Sequence, residues 1–294
     1  MSELDAEIRS SEQPMGADGR QYHIGLAPGE IAAHVLMVGD PGRARRVSER
    51  FDHIELERSS REYLSFTGVH RGLRVTVMGT GMSAANTEIG VIEMCACFPP
   101  EAVEELCVIR CGSTGSLQRH IHLGDLVISK GACRLEATTS HFVMESYPAV
   151  AHPEVVMALT EAAATAKRRF HVGITATASG FYGAQGRRIP GFPPRNPNIV
   201  DELSQQGISN LEMEASALLT LGSLRGFRAG AVCAVYATRN EGEFISGPAR
   251  KEAESNCIEA GLEALHGLER MRIERAGARE WHPGMRAPSS DTGS

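Results

Sequence analysis

Val35-Leu36-Met37-Val38-Gly39-Asp40-Pro41-Gly42-Arg43 decides how this 294-residue chain is read. Four consecutive apolar residues give a buried strand, and Gly39 to Gly42 give a tight turn. Arg43 then falls in the first turn of a helix. That corner suits an anion. Glycine lets the backbone approach closely, helix-start N–H groups lack partners, and a guanidinium adds a planar fork of donors. The same residues also read as a plain strand–turn–helix corner with a surface arginine. A second corner of this kind, Arg110-Cys111-Gly112-Ser113-Thr114-Gly115, favours the ligand reading.

Working outward, apolar strand-like runs recur at 35–38, 73–78, 107–110, 126–129, 172–178 and 231–237. Helical patterns fall between them, near 44–51, 84–98, 153–170, 212–225 and 249–268. Such alternation implies an α/β domain with a largely parallel sheet covered by helices. Ligands of open α/β sheets sit at the carboxyl ends of strands. Here those ends carry Gly39–Arg43, Gly79-Thr80-Gly81-Met82, Arg110–Gly115, Phe181–Arg187 and Arg239. Residues 186–197 hold four prolines and read as a lid or an idle insertion. Residues 1–20 and 273–294 read as loose, disordered tails around a single domain at 21–272.

The composition narrows the function. A hydrophobic content of 42% is ample for a core, and a net charge of −6 argues against a nucleic-acid binder. Seven cysteines show no paired spacing, the polar start does not read as a signal peptide, and no apolar run reaches the ~20 residues of a spanning helix. A cytoplasmic protein with reduced thiols is expected.

Arg43 and Arg110 can converge on one dianion, with Ser113 and Thr114 adding hydroxyl donors. There is no P-loop signature and no acidic cluster for magnesium. In Leu211-Glu212-Met213-Glu214-Ala215 two carboxylates stand two residues apart. Extended, they share a face and suit vicinal sugar hydroxyls; as a helix start, they complement the dipole. Gln185 and Arg187 can pair with a planar amide, with Phe181 stacking on it, or can be two exposed loop residues. Arg239 ends an apolar strand, where a guanidinium needs a partner. His120-x-His122 reads as a solvated loop, and Cys95 and Cys97 as helix core or interface.

Together these motifs resemble the nucleoside phosphorylase-I family, and within it the uridine-cleaving branch. They are Gly39-Asp40-Pro41-Gly42-Arg43, Ser60-Arg61-Glu62-Tyr63, Arg110-x-Gly112-Ser113-Thr114-Gly115, Phe181-Tyr182-x-x-Gln185-x-Arg187 and Glu212-Met213-Glu214. The resemblance runs from about Tyr22 to about Leu268. It implies a twisted, mixed central sheet partly closed into a barrel and flanked by helices. It implies phosphate binding by Gly39, Arg43, Arg110 and Ser113, with Arg61 reaching the phosphate of a neighbouring subunit. It implies ribose binding by Thr114, Met213, Glu214 and a neighbour's His23. Phe181, Gln185, Arg187 and Arg239 would form the base site, Arg239 ordering Arg187 or a water.

The implied activity is reversible phosphorolysis of uridine, with Arg110, Glu214, Gln185 and Arg187 carrying the chemistry. Inorganic phosphate is the co-substrate and no cofactor is required. The implied assembly is a homo-oligomer, a dimer or a trimer of dimers. A purine or methylthio-nucleoside enzyme on the same fold, or a non-catalytic nucleoside binder, are the alternatives. Tyr236-Ala237-Thr238-Arg239-Asn240 lacks the aspartate that purine-acting relatives carry at this strand end, and those relatives lack Gln-x-Arg. Two departures stand out. Ser83 and Ala84 replace glycines of the family pattern, which narrows a loop beside the sugar phosphate. Glu62 matches an interface ligand for a monovalent cation, but Asn86 stands where the family has serine.

Overall fold

The computed structural model describes residues 11–286. In chain order the elements are β1 (His34–Val38), α1 (Pro41–Ser48), β2 (His53–Ser60), β3 (Tyr63–His70), β4 (Leu73–Gly79), α2 (Ala84–Ala96) and β5 (Cys107–Ser116). There follow β6 (Leu126–Leu135), β7 (Ala149–Val150), α3 (Pro153–Thr165), β8 (Phe170–Ala178), α4 (Ile199–Gln205), β9 (Asn210–Glu212) and α5 (Ala215–Arg225). Strand β10 (Arg228–Thr238), β11 (Glu243–Phe244) and the long α6 (Gly247–Glu274) complete the chain.

Strand β5 organises the molecule. Its first half pairs in parallel with β1 on one side, and its whole length with β10 on the other. From β10 the pairing runs to β6, β8 and β9, and β9 returns to the end of β5, closing a five-stranded barrel. From β1 the sheet continues as an open wing through β4, β3 and β2. Helices cover both faces, as an apolar run such as β1 demands. Leu36 and Val38 turn to a core shared with α1, α3 and α6; Val35 and Met37 turn to one shared with α2 and α5. Alternate burial on two faces is what a strand between two helical layers must do. Helix α6 packs close to β5 because Gly261 has no side chain: a Cβ there would lie 2.4 Å from Cys111 Sγ.

The single-domain mixed sheet with its barrel is as the resemblance implied; the largely parallel reading is corrected. Pairings β2–β3, β3–β4, β6–β10 and β5–β9 are antiparallel. The β2–β3 hairpin escaped notice because β2 is polar and largely exposed, so it carries no apolar run. It turns at Arg61, a non-glycine with φ 52°. The C-terminal segment also differs from expectation. Helix α6 reaches Glu274, and Trp281 is buried. Its backbone N–H donates to Glu154 Oε1 at 2.8 Å and its indole N–H to Glu274 Oε2 at 2.7 Å. One tryptophan docked this way outweighs the polar composition around it. At the other end, Arg20 pairs with Glu30, and Gly16 N–H donates to the Arg20 carbonyl at 2.8 Å. Residues 1–10 and 287–294 of the expected tails lie outside the described residues. No helix among the described residues is long and apolar enough to cross a membrane.

Candidate active site

The anion corner forms at the end of β1. Asp40 caps α1 by accepting the Gly42 N–H at 2.8 Å, and Pro41 starts the helix. That cap turns Arg43 inward, where it is buried. Its Nε donates to Glu254 Oε2 at 3.0 Å and a terminal nitrogen to the Cys111 carbonyl at 3.1 Å. Glu254 also receives Arg46, and the Tyr236 hydroxyl lies 3.4 Å away. Burial opposes a charge on Glu254, but Arg46 and Arg43 outweigh it and hold the carboxyl below its ordinary range. Across the corner the Gly81 carbonyl would lie 3.3 Å from a Cβ on Gly39, so two strand-end loops pack closely there.

Arg110 lies one residue before the carbonyl that Arg43 binds. It is buried between two carboxylates. Nε donates to Glu212 Oε2 at 3.2 Å, and a terminal nitrogen donates to Glu214 Oε2. Burial alone would lower its pKa; Glu214 and Glu212 reverse this and raise it, so the guanidinium stays charged. The two glutamates do share a face, yet they differ in surroundings. Glu212 accepts the backbone N–H of Glu214 at 2.9 Å, that of Ala215 at 2.9 Å, and the Thr177 hydroxyl at 2.6 Å. It is therefore also the helix-start carboxylate, holding the first turn of α5. Glu214 meets Arg110 through one oxygen and accepts the Ser83 N–H at 2.8 Å through the other.

Further along β5, the Thr114 hydroxyl donates to the Leu211 carbonyl at 2.8 Å and accepts from Asn210 Nδ2 at 2.8 Å. Asn210 in turn accepts from Thr175 at 2.9 Å, so a polar chain fixes Thr114 inside the barrel. Ser113 and Met213 are half-buried beside Thr114 and Glu214.

The next cluster gathers where β5 and β10 end. The Arg239 N–H donates to the Ser116 carbonyl at 2.9 Å, and its side chain crosses Gly115, where a Cβ would lie 2.9 Å from Arg239 Cγ. The guanidinium donates to the Gln185 carbonyl at 2.8 Å and approaches Gln185 Oε1 at 3.4 Å. Arg187 stacks 3.9 Å above the Phe181 ring, and its Nε donates to the Phe181 carbonyl at 3.0 Å. Arg239 thus grips Gln185, while the resemblance implied that it orders Arg187 or a water. Burial, then the neighbouring Arg187 charge, lowers the Arg239 pKa to about 10.

The structure therefore brings Gly39, Arg43, Arg110, Ser113, Thr114, Gln185, Arg239, Glu214 and the Phe181–Arg187 stack together around one strand. His23 and Arg61 stand elsewhere. His23 bonds to Glu93 through its ring and its backbone N–H, and Arg61 lies 4.8 Å above the Tyr22 ring. Among the described residues neither bonds to Arg43, Arg110 or Glu214. Glu62 and Asn86 both flank Gly81. Among the described residues one metal-like cluster occurs, His152, Glu154 and Glu280, but the Glu154 oxygens already serve Arg228 and Trp281.

Residues 33–267 match the phosphorylase superfamily. A uridine phosphorylase of Thermococcus kodakarensis is 42% identical over 283 residues, covering 94% of this chain and 98% of that protein. A DeoD-type purine nucleoside phosphorylase of Roseobacter denitrificans is 32% identical over 244 residues, 82% of this chain and 97% of that protein. A solved Trypanosoma brucei nucleoside phosphorylase, described as showing uridine phosphorylase activity, superposes with a TM-score of 0.82 at 29% identity. It covers 86% of this chain and 99% of its own.

Proposed function

The chain belongs to the phosphorylase superfamily, and on that premise we propose that it converts uridine and inorganic phosphate reversibly to uracil and ribose 1-phosphate. One observation carries the choice of uridine. Arg239 fastens Gln185, two residues before Arg187, and crosses Gly115 on the strand that also carries Arg110. An amide and a guanidinium side by side offer donors and an acceptor to the edge of a uracil ring.

Each residue then has a task. Gly39, Arg43, Arg110 and Ser113 hold the phosphate, and its dianion competes with Glu214 for Arg110. Glu214, with Met213 and Thr114, holds the ribose, accepting hydrogen bonds from its 2′- and 3′-hydroxyls. Phosphate is already a nucleophile, so no side chain needs activating. The bond from C1′ to N1 of uracil breaks as a phosphate oxygen bonds to C1′ from the opposite face. The electron pair leaves with uracil, spread over the ring nitrogens and carbonyl oxygens. Gln185 and Arg187 stabilise that charge in place, before it forms and at no cost in reorganisation. The phosphate dianion steadies the cationic sugar, and Glu214 keeps the attack in line. The departing uracil anion takes a proton from solvent.

The same reading makes the enzyme a cytoplasmic homo-oligomer, with Arg61 and His23 completing a neighbour's site and no cofactor taking part. Glu62 stays a candidate ligand for a monovalent cation. Phosphorus-31 spectra of protein, uridine and phosphate test the reaction. A ribose 1-phosphate resonance growing as phosphate falls is the expected result. Uracil released with the phosphate signal unchanged would mean hydrolysis instead.

A further inference from the structure

Five residues other than glycine have positive φ among the described residues. Arg61, Arg71, Lys167 and Ala276 lie between 48° and 53°, an ordinary left-handed turn. Ser83 does not. At φ 102° and ψ 158° it occupies a region that essentially only glycine enters. Its backbone is tied there. The N–H donates to Glu214 at 2.8 Å, and the carbonyl accepts both the Thr87 N–H and hydroxyl at 3.1 Å. Glycine would keep all three bonds without the strain. What serine adds is a hydroxyl, and two bland uses of it fail. Ser83 is the N-cap of α2, yet its side chain makes no cap bond. Nor does that hydroxyl bond to any other described residue. The loop that carries it presses on Gly39 through Gly81, and its N–H binds the carboxylate that shares Arg110. Ser83 is therefore tied to the carboxylate that holds Arg110, two residues along from the loop contact with Gly39.

Resting on the function proposed above, we infer that the Ser83 hydroxyl is a further phosphate donor, held toward the anion by a strained backbone that Glu214 locks. A charge-assisted bond to an oxyanion offsets the strain. The loop is thereby built for phosphate at the expense of stability.

The test compares the unaltered protein with Ser83→Ala and Ser83→Gly. Calorimetric titration with inorganic phosphate should show both variants binding about 10-fold more weakly. The KM for phosphate should rise likewise, with the KM for uridine within about twofold. Ser83→Ala should melt with the unaltered protein, and Ser83→Gly a few degrees higher. Unchanged phosphate affinity in Ser83→Ala overturns the donor role, and a Ser83→Gly that melts no higher overturns the strain. Phosphate binding without uridine turnover would defeat the proposed reaction alone, since the affinity comparison still decides Ser83. A protein that binds no phosphate defeats both.

Discussion

Arg239 shows how much one side chain settles. It reaches over a glycine to hold both ends of Gln185, while Arg187 lies on the Phe181 ring. Replacing Gln185 or Arg187 by alanine should therefore lower kcat/KM for uridine by about 100-fold or more, through lost leaving-group donors. Phosphate affinity should stay within about twofold, because neither residue touches the Arg43 and Arg110 end. Steady-state kinetics with each substrate varied in turn would check this; near-normal uridine kinetics in both variants would remove the uracil edge from these residues. Among the candidates, Arg43 was marked in the sequence by the adjacent Gly42, Arg110 by the nearby Gly112, Gln185 by the adjacent Gly186, and Arg239 by closing an apolar strand. Glu254 was not. It lies far along the chain on a charged helix, and nothing near it marks it as the partner of Arg43. The Ser83 N–H was equally hidden, since a backbone donor has no residue type.

Elements add a dependence on pH. His70 at the end of β3 and His266 on α6 meet through their rings, Nδ1 to Nε2 at 2.9 Å. One must donate and the other accept, so a second proton breaks the contact. Burial lowers the pKa of both; His266 and Arg71 add to this at His70, and Arg71 adds at His266, where the hydrogen bond with His70 opposes it. Glu263 and Asp52 pull the other way without prevailing. The folded values thus lie below the unfolded value of about 6.5, so on acidification the unfolded chain takes up protons first. Stability present above that value is lost as pH falls through it. The urea midpoint should be lower near pH 5.5 than near pH 7.5, and His266→Gln should shrink the difference. An equal drop in the variant would place the effect elsewhere. At this scale the sequence was legible where strands are apolar on both faces, as in β1, β10 and the first residues of β5, but the stretch Arg110–Gly115 that read as a loop corner continues β5 to Ser116. The sequence was not legible in β2, whose residues are solvated, nor in β9, three residues long, whose pairing depends on the distant end of β5.

For the whole molecule, closure of the barrel explains how one strand can present the proposed phosphate, sugar and base sites in order. Strand β5 leaves the open wing and enters the barrel, so its carboxyl half faces loops from both parts. Barrel closure needs β9 to return to β5, a long-range pairing that no local pattern encodes. His23 and Arg61 belong to this scale as well, standing apart from the site in a single chain. If a neighbour's Arg61 completes the phosphate site, two dead variants should rescue each other. Mixing Glu214→Ala with Arg61→Ala, after dissociation and reassembly, should restore about one site in four. No recovery from a mixture shown to contain both chains would mean that each chain's site is its own.

The most direct measurement is the ultraviolet absorbance of uridine incubated with the purified protein, with and without inorganic phosphate, and with inosine alongside. Loss of the uridine signal only when phosphate is present, with inosine little changed, is the predicted result. Loss without phosphate, preference for inosine, or no change in either nucleoside would contradict it.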